Sequence, residues 1–105
     1  MLLNLEAIEK AENLISKFLG LMGRKGFGQS SGLWLRDTNS IHTFFVFFPI
    51  DVVFLDSEMK VLRTVEDMRP FRVSPIVWKA KSVLELPTET IRSKGIKIDD
   101  QIKLL

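Results

Sequence analysis

The sequence predicts a mainly β fold with one amphipathic helix at its N-terminal end, and three observations support this prediction. First, the 105 residues are 46% hydrophobic and 27% charged, which is the composition of one compact domain spanning residues 1–105. Second, a single segment near the N-terminus has the period of a helix. Third, the other apolar residues occur in short runs between turn-forming residues. This pattern is typical of a β-sandwich, jelly roll or barrel, with a small α+β domain as the alternative description.

The predicted helix runs from about Ala7 to Met22, where apolar residues recur at intervals of three and four. Glu6 and Glu9 lie near its start, which suits the helix dipole. Gly23 can adopt the left-handed conformation that ends a helix. The residues before the helix, Met1 to Leu5, form either a short edge strand or the lead-in to the helix.

A glycine-rich loop follows the predicted helix. Four glycines and two adjacent serines lie between residues 23 and 32, and no packing period survives there. Phosphate-binding loops of the P-loop and dinucleotide types connect a strand to a following helix, whereas here the helix comes first, so the sequence argues against both. An anion-binding nest and a flexible entry to a hairpin both remain open. The next strand is predicted at Leu33 to Asp37.

The most hydrophobic segment runs from Ile41 to Leu55 and reads IHTFFVFFPIDVVFL. Its Phe, Val and Ile content favours strand, and Pro49 is expected to split it into two strands at a bend. An exposed run of this kind would promote aggregation. We therefore expect its phenylalanines to be interior, in a central strand pair covered on both faces. Chemistry or recognition would then occur only at its polar margins.

The remaining elements are predicted from turn residues and short apolar runs. They are, in order, a hairpin turn at Asp56 to Met59, a returning strand around Val61 to Val65, a loop containing Pro70 and Pro75, one broken strand or two short strands within Ile76 to Pro87, one or two helical turns ending at Gly95, and a closing strand at about Gln101 to Leu104.

Composition and charge exclude several classes of protein. The absence of cysteine removes disulfides, thiol nucleophiles and zinc-thiolate sites. The net charge of +2 is too small to indicate nucleic-acid binding, and no basic residue separates the aromatic side chains between Ile41 and Ile50. The longest stretch without charged residues, Thr38 to Ile50, is shorter than the ~20 residues of a membrane-spanning helix. The N-terminal residues do not have the pattern of a signal peptide, so we expect a cytoplasmic protein without membrane association.

The candidates for catalysis are His42 and Asp51. His42, the single histidine, is expected either to form a hydrogen bond at a strand end or to contact a ligand and transfer protons. Asp51 lies among apolar residues, so its carboxylate needs a partner. The partners considered are the side chains of Arg24 and Arg36 and the backbone amides near Pro49. The alternative is that Asp51 is an acid with a perturbed pKa in a pocket. A lone histidine without cysteine makes no metal-ligand set, and we expect neither a metal nor a cofactor.

Four motifs connect the chain to a known family: GLMGR at Gly20 to Arg24, GLWL at Gly32 to Leu35, IHTFFVFFPIDVVFLD at Ile41 to Asp56, and VLELP at Val83 to Pro87. In these motifs, and over nearly its whole length, the sequence resembles the family called domain of unknown function 192. The resemblance implies a small, mostly β fold of the sandwich or jelly-roll kind with one substantial helix, found in archaea and bacteria. It implies no established activity.

The favoured function is a non-catalytic module that binds a small ligand, a carbohydrate or a protein. Its candidate ligand-binding residues are Arg24, Arg36, His42, Thr43 and Asp51. One alternative is a hydrolase-type enzyme that uses His42 and Asp51. Another is weak nucleic-acid binding through dispersed basic residues in the second half of the chain. Assembly as a homodimer is also left open.

Overall fold

The computed structural model describes residues 1–11 and 20–105, and the mainly β prediction is confirmed. In this part of the chain seven strands and one short helix follow each other. Their bounds are β1 Leu2–Leu5, β2 Ile8–Ala11, β3 Gly32–Arg36, β4 Ile50–Leu55, β5 Val61–Met68, β6 Ser82–Pro87, α1 Thr90–Lys94 and β7 Gln101–Leu104.

The strands form two sheets rather than a closed barrel. The larger sheet has the order β2-β3-β6-β4-β5, in which β2 and β3 are parallel and the other neighbours are antiparallel. In the smaller sheet β1 pairs in parallel with β7, from Leu2 opposite Gln101 to Leu5 opposite Leu104. Within the described residues, no helix has the length and apolar character that crossing a bilayer requires.

Strands β4 and β6 lie at the centre of the larger sheet, and the six residues of β4 are all buried. Because strand side chains alternate between faces, consecutive residues of β4 enter two different clusters. Val52 and Phe54 belong to the first core cluster, whereas Val53 and Leu55 belong to the second, which also contains residues of β1, β7 and α1. The prediction of a central strand covered on both faces is therefore confirmed for Ile50–Leu55.

Two long connections join the edges of this core. The phenylalanine loop, residues 37–49, connects β3 to β4, and the arginine loop, residues 69–81, connects β5 to β6. Ile41 and Val46 of the phenylalanine loop are buried in the first core cluster. That loop is therefore a packed layer of the molecule over one face of the sheet.

The prediction of an N-terminal helix from Ala7 to Met22 is not supported by the structure. Ile8–Ala11 form β2, and residues 20–22 form a turn, while residues 12–19 lie outside the described part of the chain. Ile8 and Ala11 are three residues apart, which suggested a helix, but Ile8 packs against the second core cluster and Ala11 lies in the first. A strand covered on both faces can bury such a pair, so the spacing did not distinguish the two structures.

The prediction that the phenylalanines of Ile41 to Leu55 are interior is wrong for three of them. Phe44, Phe45 and Phe47 are exposed, whereas Phe54 is fully buried. The physical reason is that the strand begins only at Ile50, immediately after a proline that cannot donate to a ladder. Residues 41–49 therefore follow a loop, in which side chains need not alternate between two covered faces.

Most of the smaller elements agree with the sequence prediction. Residues 1–5 include the edge strand β1, and the predicted strand at Leu33 to Asp37 corresponds to β3. The turn after β4 is held by Asp56, whose Oδ1 accepts hydrogen bonds from the backbone N–H groups of Glu58 and Lys60. The short helix ends at Gly95 in the left-handed conformation, and β7 follows at Gln101–Leu104. Within Ile76 to Pro87, which was predicted as one broken strand or two short strands, only Ser82–Pro87 is a strand.

Candidate functional site

Four phenylalanine rings on the two loops are exposed, and three of them contact one another. Phe44, Phe45, Phe47 and Phe71 are 42%, 57%, 63% and 46% exposed, and we call them the aromatic surface. The Phe71 ring lies 5.8 Å from that of Phe45 and 5.9 Å from that of Phe47, at interplanar angles of 69° and 64°. These edge-to-face contacts join rings from the phenylalanine loop with one from the arginine loop.

Backbone hydrogen bonds hold the two loops side by side in antiparallel directions. The N–H of Thr43 donates to the carbonyl of Arg72 at 2.8 Å, and the N–H of Phe71 donates to the carbonyl of Thr43 at 2.9 Å. Farther along, the N–H of Ser74 donates to the carbonyl of Ile41 at 2.8 Å. The loops thus form an irregular two-stranded ribbon that carries the aromatic surface.

The side chain of Thr43 reinforces this ribbon from beneath. Thr43 is fully buried, and its hydroxyl donates to the carbonyl of Arg69 at 2.7 Å and accepts from the N–H of Arg72 at 2.8 Å. A hydroxyl has one proton and two lone pairs, so these bonds use its proton and one lone pair. Thr43, predicted as a ligand-binding residue, is placed where it fixes the loop that carries Phe71.

Two residues of the aromatic surface have left-handed backbone conformations. Phe45 has φ 61° and Phe71 has φ 60°. Such conformations cost on the order of 1–3 kcal/mol for a residue with a bulky side chain and persist only where surrounding contacts fix them. The carbonyl of Phe45 accepts a hydrogen bond from the N–H of Gly23 at 2.8 Å, and the Phe71 N–H is bonded to Thr43. The backbone that carries these two rings is therefore held in place by hydrogen bonds.

Two exposed arginines, Arg69 and Arg72, flank Phe71 of the aromatic surface. The other two bases of the arginine loop, Lys79 and Lys81, belong to the opposite end of the ribbon, where Lys81 lines a cavity with Asp37. Arg69 forms an exposed ion pair with Asp67 of β5 at 3.3 Å, and the Arg72 guanidinium donates weakly to the carbonyl of Phe71 at 3.4 Å.

His42 lies at the edge of the aromatic surface. Its Nδ1 accepts a hydrogen bond from the N–H of Phe44 at 3.2 Å, and its ring stacks on the Phe44 ring at a centroid distance of 5.3 Å. Because Nδ1 accepts, the neutral ring has its proton on Nε2. His42 and Val73 also form an isolated bridge between the two loops. The imidazole is hydrogen-bonded, as one of the two expectations had it, but it lies within the phenylalanine loop and not at the end of a strand.

Asp51 lies elsewhere, on β4, and its carboxylate connects two elements. Oδ1 accepts from the N–H of Asp67 at the end of β5, and Oδ2 accepts from the N–H of Ile91 in α1, both at 3.0 Å. The prediction that backbone amides satisfy this buried carboxylate agrees with the structure, although the amides are not those near Pro49. The role anticipated for arginine is not observed, because Arg36 is exposed and Arg24 binds another carboxylate.

The two catalytic candidates, His42 and Asp51, line different cavities. Asp51 contributes to a cavity of about 270 Å³ with Glu66 and Arg92, whereas His42 contributes to one of about 90 Å³ with Glu85. The structure therefore does not bring the imidazole and this carboxylate into one shared pocket. No group of three potential metal-ligating side chains occurs in residues 1–11 and 20–105.

Glu85 is a titratable residue that the sequence interpretation missed. It is 4% exposed on the central strand β6, and the cavity that it lines also includes Ile41 and Val46 of the phenylalanine loop. Burial raises the pKa of Glu85 to about 8, and the positive charge of Arg24 opposes this shift. The signal in the sequence was a single acid within the apolar run VLELP, which resembles the position of Asp51 in its own strand.

Arg24 forms a two-pronged ion pair with Glu9 of β2. The two guanidinium nitrogens lie 2.9 and 3.3 Å from the carboxylate oxygens. The hydrogen bond to Arg24 lowers the pKa of Glu9, and the same bond raises the pKa of Arg24. Since Gly23 donates to Phe45, this pair anchors the segment that supports one edge of the aromatic surface.

Another cavity, of about 630 Å³, is formed in part by residues of β1, β6 and α1. It is lined by the buried Leu5 and Leu86 and by hydroxyl groups, with the exposed Glu6 and Lys94 as its charged residues. None of its charged lining residues is buried, so it lacks the fixed polar groups that orient a small ligand. The aromatic surface is consequently the best-defined candidate site.

Comparisons with known proteins agree with the resemblance in the motifs. A family model described as Uncharacterized ACR, the domain of unknown function 192, matches residues 4–104. A UPF0127 protein of Pyrococcus abyssi is 33% identical over 100 residues, covering 91% of this chain and 84% of the relative. A UPF0127 protein of Pyrococcus horikoshii is 33% identical over 96 residues, covering 89% of this chain and 83% of the relative.

A solved structure has the same fold. A protein of unknown function from Novosphingobium aromaticivorans superposes with a TM-score of 0.77 at 21% identity, covering 88% of this chain and 70% of the other. The match of the family model over almost the entire chain decides the assignment. The protein described here belongs to the domain of unknown function 192 family.

Proposed function

We propose that this protein is a non-catalytic binding module that docks a partner protein on its aromatic surface. The observation that carries the proposal is the set of four exposed phenylalanine rings on two loops fixed by hydrogen bonds. Exposed apolar clusters on soluble domains mark interaction sites more often than isolated exposed side chains do.

The size of the aromatic surface is consistent with this role. Taking ~200 Å² for a phenylalanine side chain, the exposed fractions of the four rings amount to roughly 400 Å². The largest apolar patch on a typical monomer covers ~300–600 Å² and is often functional. The exposed area of the four rings is about half of the ~800 Å² that each partner contributes to a standard interface. The rings can therefore serve as the apolar centre of an interface with a polar rim.

The arrangement of the rings favours a protein over a carbohydrate. A sugar stacks on open aromatic faces, whereas the interplanar angles of 64° and 69° turn ring edges of this cluster toward the faces of its neighbours. Apolar side chains of a protein fit such a knobbed surface by shape. A docked protein is for this reason the occupant that we favour.

Catalysis receives less support from the geometry. Both Asp51 oxygens are used by backbone N–H groups, and His42 lies in a separate cavity with one of its nitrogens bonded to its own loop. A general base must reach both its orienting partner and the substrate. We therefore favour the binding role over the hydrolase alternative.

Selection from a displayed library of random peptides tests the proposal. Selected peptides are expected to bind the purified protein and to lose at least ~tenfold in affinity toward the Phe47→Ser variant, since central apolar residues dominate interface energies. Ile98→Ser is the matched control, because Ile98 is 60% exposed but lies outside the two loops. Equal losses in both variants, or a selection that yields no peptide dependent on Phe47, would contradict the proposal.

A further inference from the structure

The chemistry of the docked partner follows from the charges beside the rings. Two exposed bases of the arginine loop, Arg69 and Arg72, lie on either side of Phe71 in the chain. The N–H of Arg72 is bonded to Thr43 next to Phe44, so this arginine starts beside the phenylalanine loop as well. The apolar centre and the cationic rim are therefore parts of one surface.

We infer that the aromatic surface binds an acidic segment of a different protein, one with apolar side chains spaced among aspartates and glutamates. This inference rests on the proposed docking function and names the partner of that same site. Complementary charges at the rim of an interface steer association and select the partner. Arginine suits this role because its planar guanidinium presents several donors that match a carboxylate.

The donors of the arginine loop remain open to exchange with such a partner. The Arg69 pair with Asp67 joins side chains that are 68% and 52% exposed, and the bond from Arg72 to the Phe71 carbonyl is long at 3.4 Å. Exposed ion pairs of this kind add little stability. A carboxylate of a docked segment can replace them at little cost.

A second copy of this chain fits the surface less well. In a two-fold dimer both subunits contribute the same surface, so two sets of rim arginines would enter one interface. Like charges brought together in this way are unfavourable.

Nucleic acid and membranes also fit less well than a protein segment. Stacking of successive bases needs open ring faces, whereas these rings contact each other edge to face. A fluid bilayer does not require ring positions fixed by left-handed backbone at Phe45 and Phe71. The left-handed backbone at Phe45 and Phe71 costs conformational free energy. A backbone held in place at that cost suits a partner with a defined shape.

Fluorescence anisotropy with two labelled probe peptides tests the inference. One peptide has Phe and Leu anchors among Asp and Glu, and the other has the same anchors among Asn and Gln. We expect the wild type to bind the acidic peptide at least ~tenfold more tightly at ~50 mM salt, and we expect this preference to shrink at ~500 mM salt because ions screen the rim charges.

Charge reversal identifies the residues responsible. Arg69→Glu and Arg72→Glu, alone and combined, are expected to remove the preference for the acidic peptide while leaving binding of the neutral peptide nearly unchanged. Lys103→Glu is the matched control, because Lys103 is an exposed base on β7, outside the two loops. A preference that survives both reversals overturns the inference.

Further outcomes separate this inference from the proposed function. If both peptides bind equally and both lose affinity in Phe47→Ser, the docking function stands and the acidic partner is wrong. If neither peptide binds, the inference is overturned as well. Tighter binding to a single-stranded oligothymidylate, to phosphatidylserine vesicles or to a second copy in sedimentation would each overturn it in favour of that occupant.

Discussion

At the scale of single residues, this protein uses buried polar side chains to fix backbone rather than to perform chemistry. Thr43 and Asp51 were both candidate ligand-binding residues, and both have their side-chain oxygens bonded to backbone groups of distant segments. The sequence indicated that each is surrounded by apolar residues and needs partners. It could not indicate which partners, because these lie from 16 to 40 residues away.

Thr43→Val tests the role of the hydroxyl beneath the aromatic surface. Valine has a similar shape but leaves the carbonyl of Arg69 and the N–H of Arg72 without this partner. We expect the free energy of unfolding to fall by ~1–3 kcal/mol, the cost of unsatisfied buried groups. Urea denaturation measures it, and Thr64→Val on the edge strand β5 is the control with a small expected change. A Thr43→Val variant as stable as that control would refute this role.

Glu85 makes stability depend on pH in a defined direction. Its pKa is raised from 4.5 to about 8 in the folded protein, so between these values the folded state retains a proton that the unfolded state has lost. The contribution of Glu85 therefore makes the free energy of unfolding decrease as the pH rises from about 4.5 to about 8, and level off above. This is the behaviour of an acid that is buried neutral.

The difference between wild type and Glu85→Gln isolates this contribution, because other carboxylates titrate in both proteins. Glutamine cannot ionise, so the variant is expected to lose the slope between about pH 5 and 8 and to melt above the wild type at pH 8. Thermal melts at several pH values provide the measurement. Glu58→Gln, at an exposed position, should melt in parallel with the wild type. Parallel curves for Glu85→Gln would show that Glu85 is not buried neutral.

At the scale of elements, the sequence predicted most strands but assigned β2 to a helix and the phenylalanine loop to a strand. Turn residues located β5, β7 and the short helix α1, because each is bounded by local signals such as Asp56 and Gly95. The segment Ile8–Ala11 has no such boundary, and its pairing partner is Gly32–Leu35, more than twenty residues away. The periodicity of a short segment contains no information about a strand that is distant in the sequence. Here that distant strand supplies the hydrogen bonds that make Ile8–Ala11 an edge strand.

Gly32 shows how tightly β3 is placed against its neighbours. A Cβ added there would lie 2.6 Å from Leu86 Cδ2, 3.0 Å from the Glu85 carbonyl oxygen and 3.1 Å from Ile8 Cδ1. We expect Gly32→Ala to lower the free energy of unfolding by ~1–3 kcal/mol through overpacking. Gly26→Ala is the control, because an added Cβ there meets nothing within 4 Å. Equal stabilities in chemical denaturation would contradict this packing.

At the scale of the whole molecule, the sheet separates two cores. The first core cluster includes Ile41 and Val46 beneath the aromatic surface, and the second includes Leu5 and Ile102 near the smaller sheet. Composition predicted one domain with a central strand covered on both faces. It could not predict which apolar residues cover that strand and which face solvent. Val46 is buried and Phe47 is exposed, although the two are neighbours in the sequence and both are apolar.

Val52 and Val53 provide a matched pair that probes the two cores separately. Both are fully buried neighbours on β4, and they enter different clusters. Each valine-to-alanine change is expected to cost about 2 kcal/mol of stability or more. Only Val52→Ala should also shift the NMR signals of the Phe44, Phe45 and Phe47 rings, since only Val52 shares a cluster with their loop. Equal ring shifts in both variants would contradict the separation.

The hydrogen-bonded ribbon that carries the rings has a thermodynamic consequence for any docking event. Thr43 and the paired backbone already restrict the two loops, so little conformational freedom is left for the protein itself to lose on association. The entropic penalty then falls on the incoming chain. Calorimetry across temperatures should accordingly return a negative heat-capacity change set by apolar burial alone, without the larger excess that accompanies folding of a receptor.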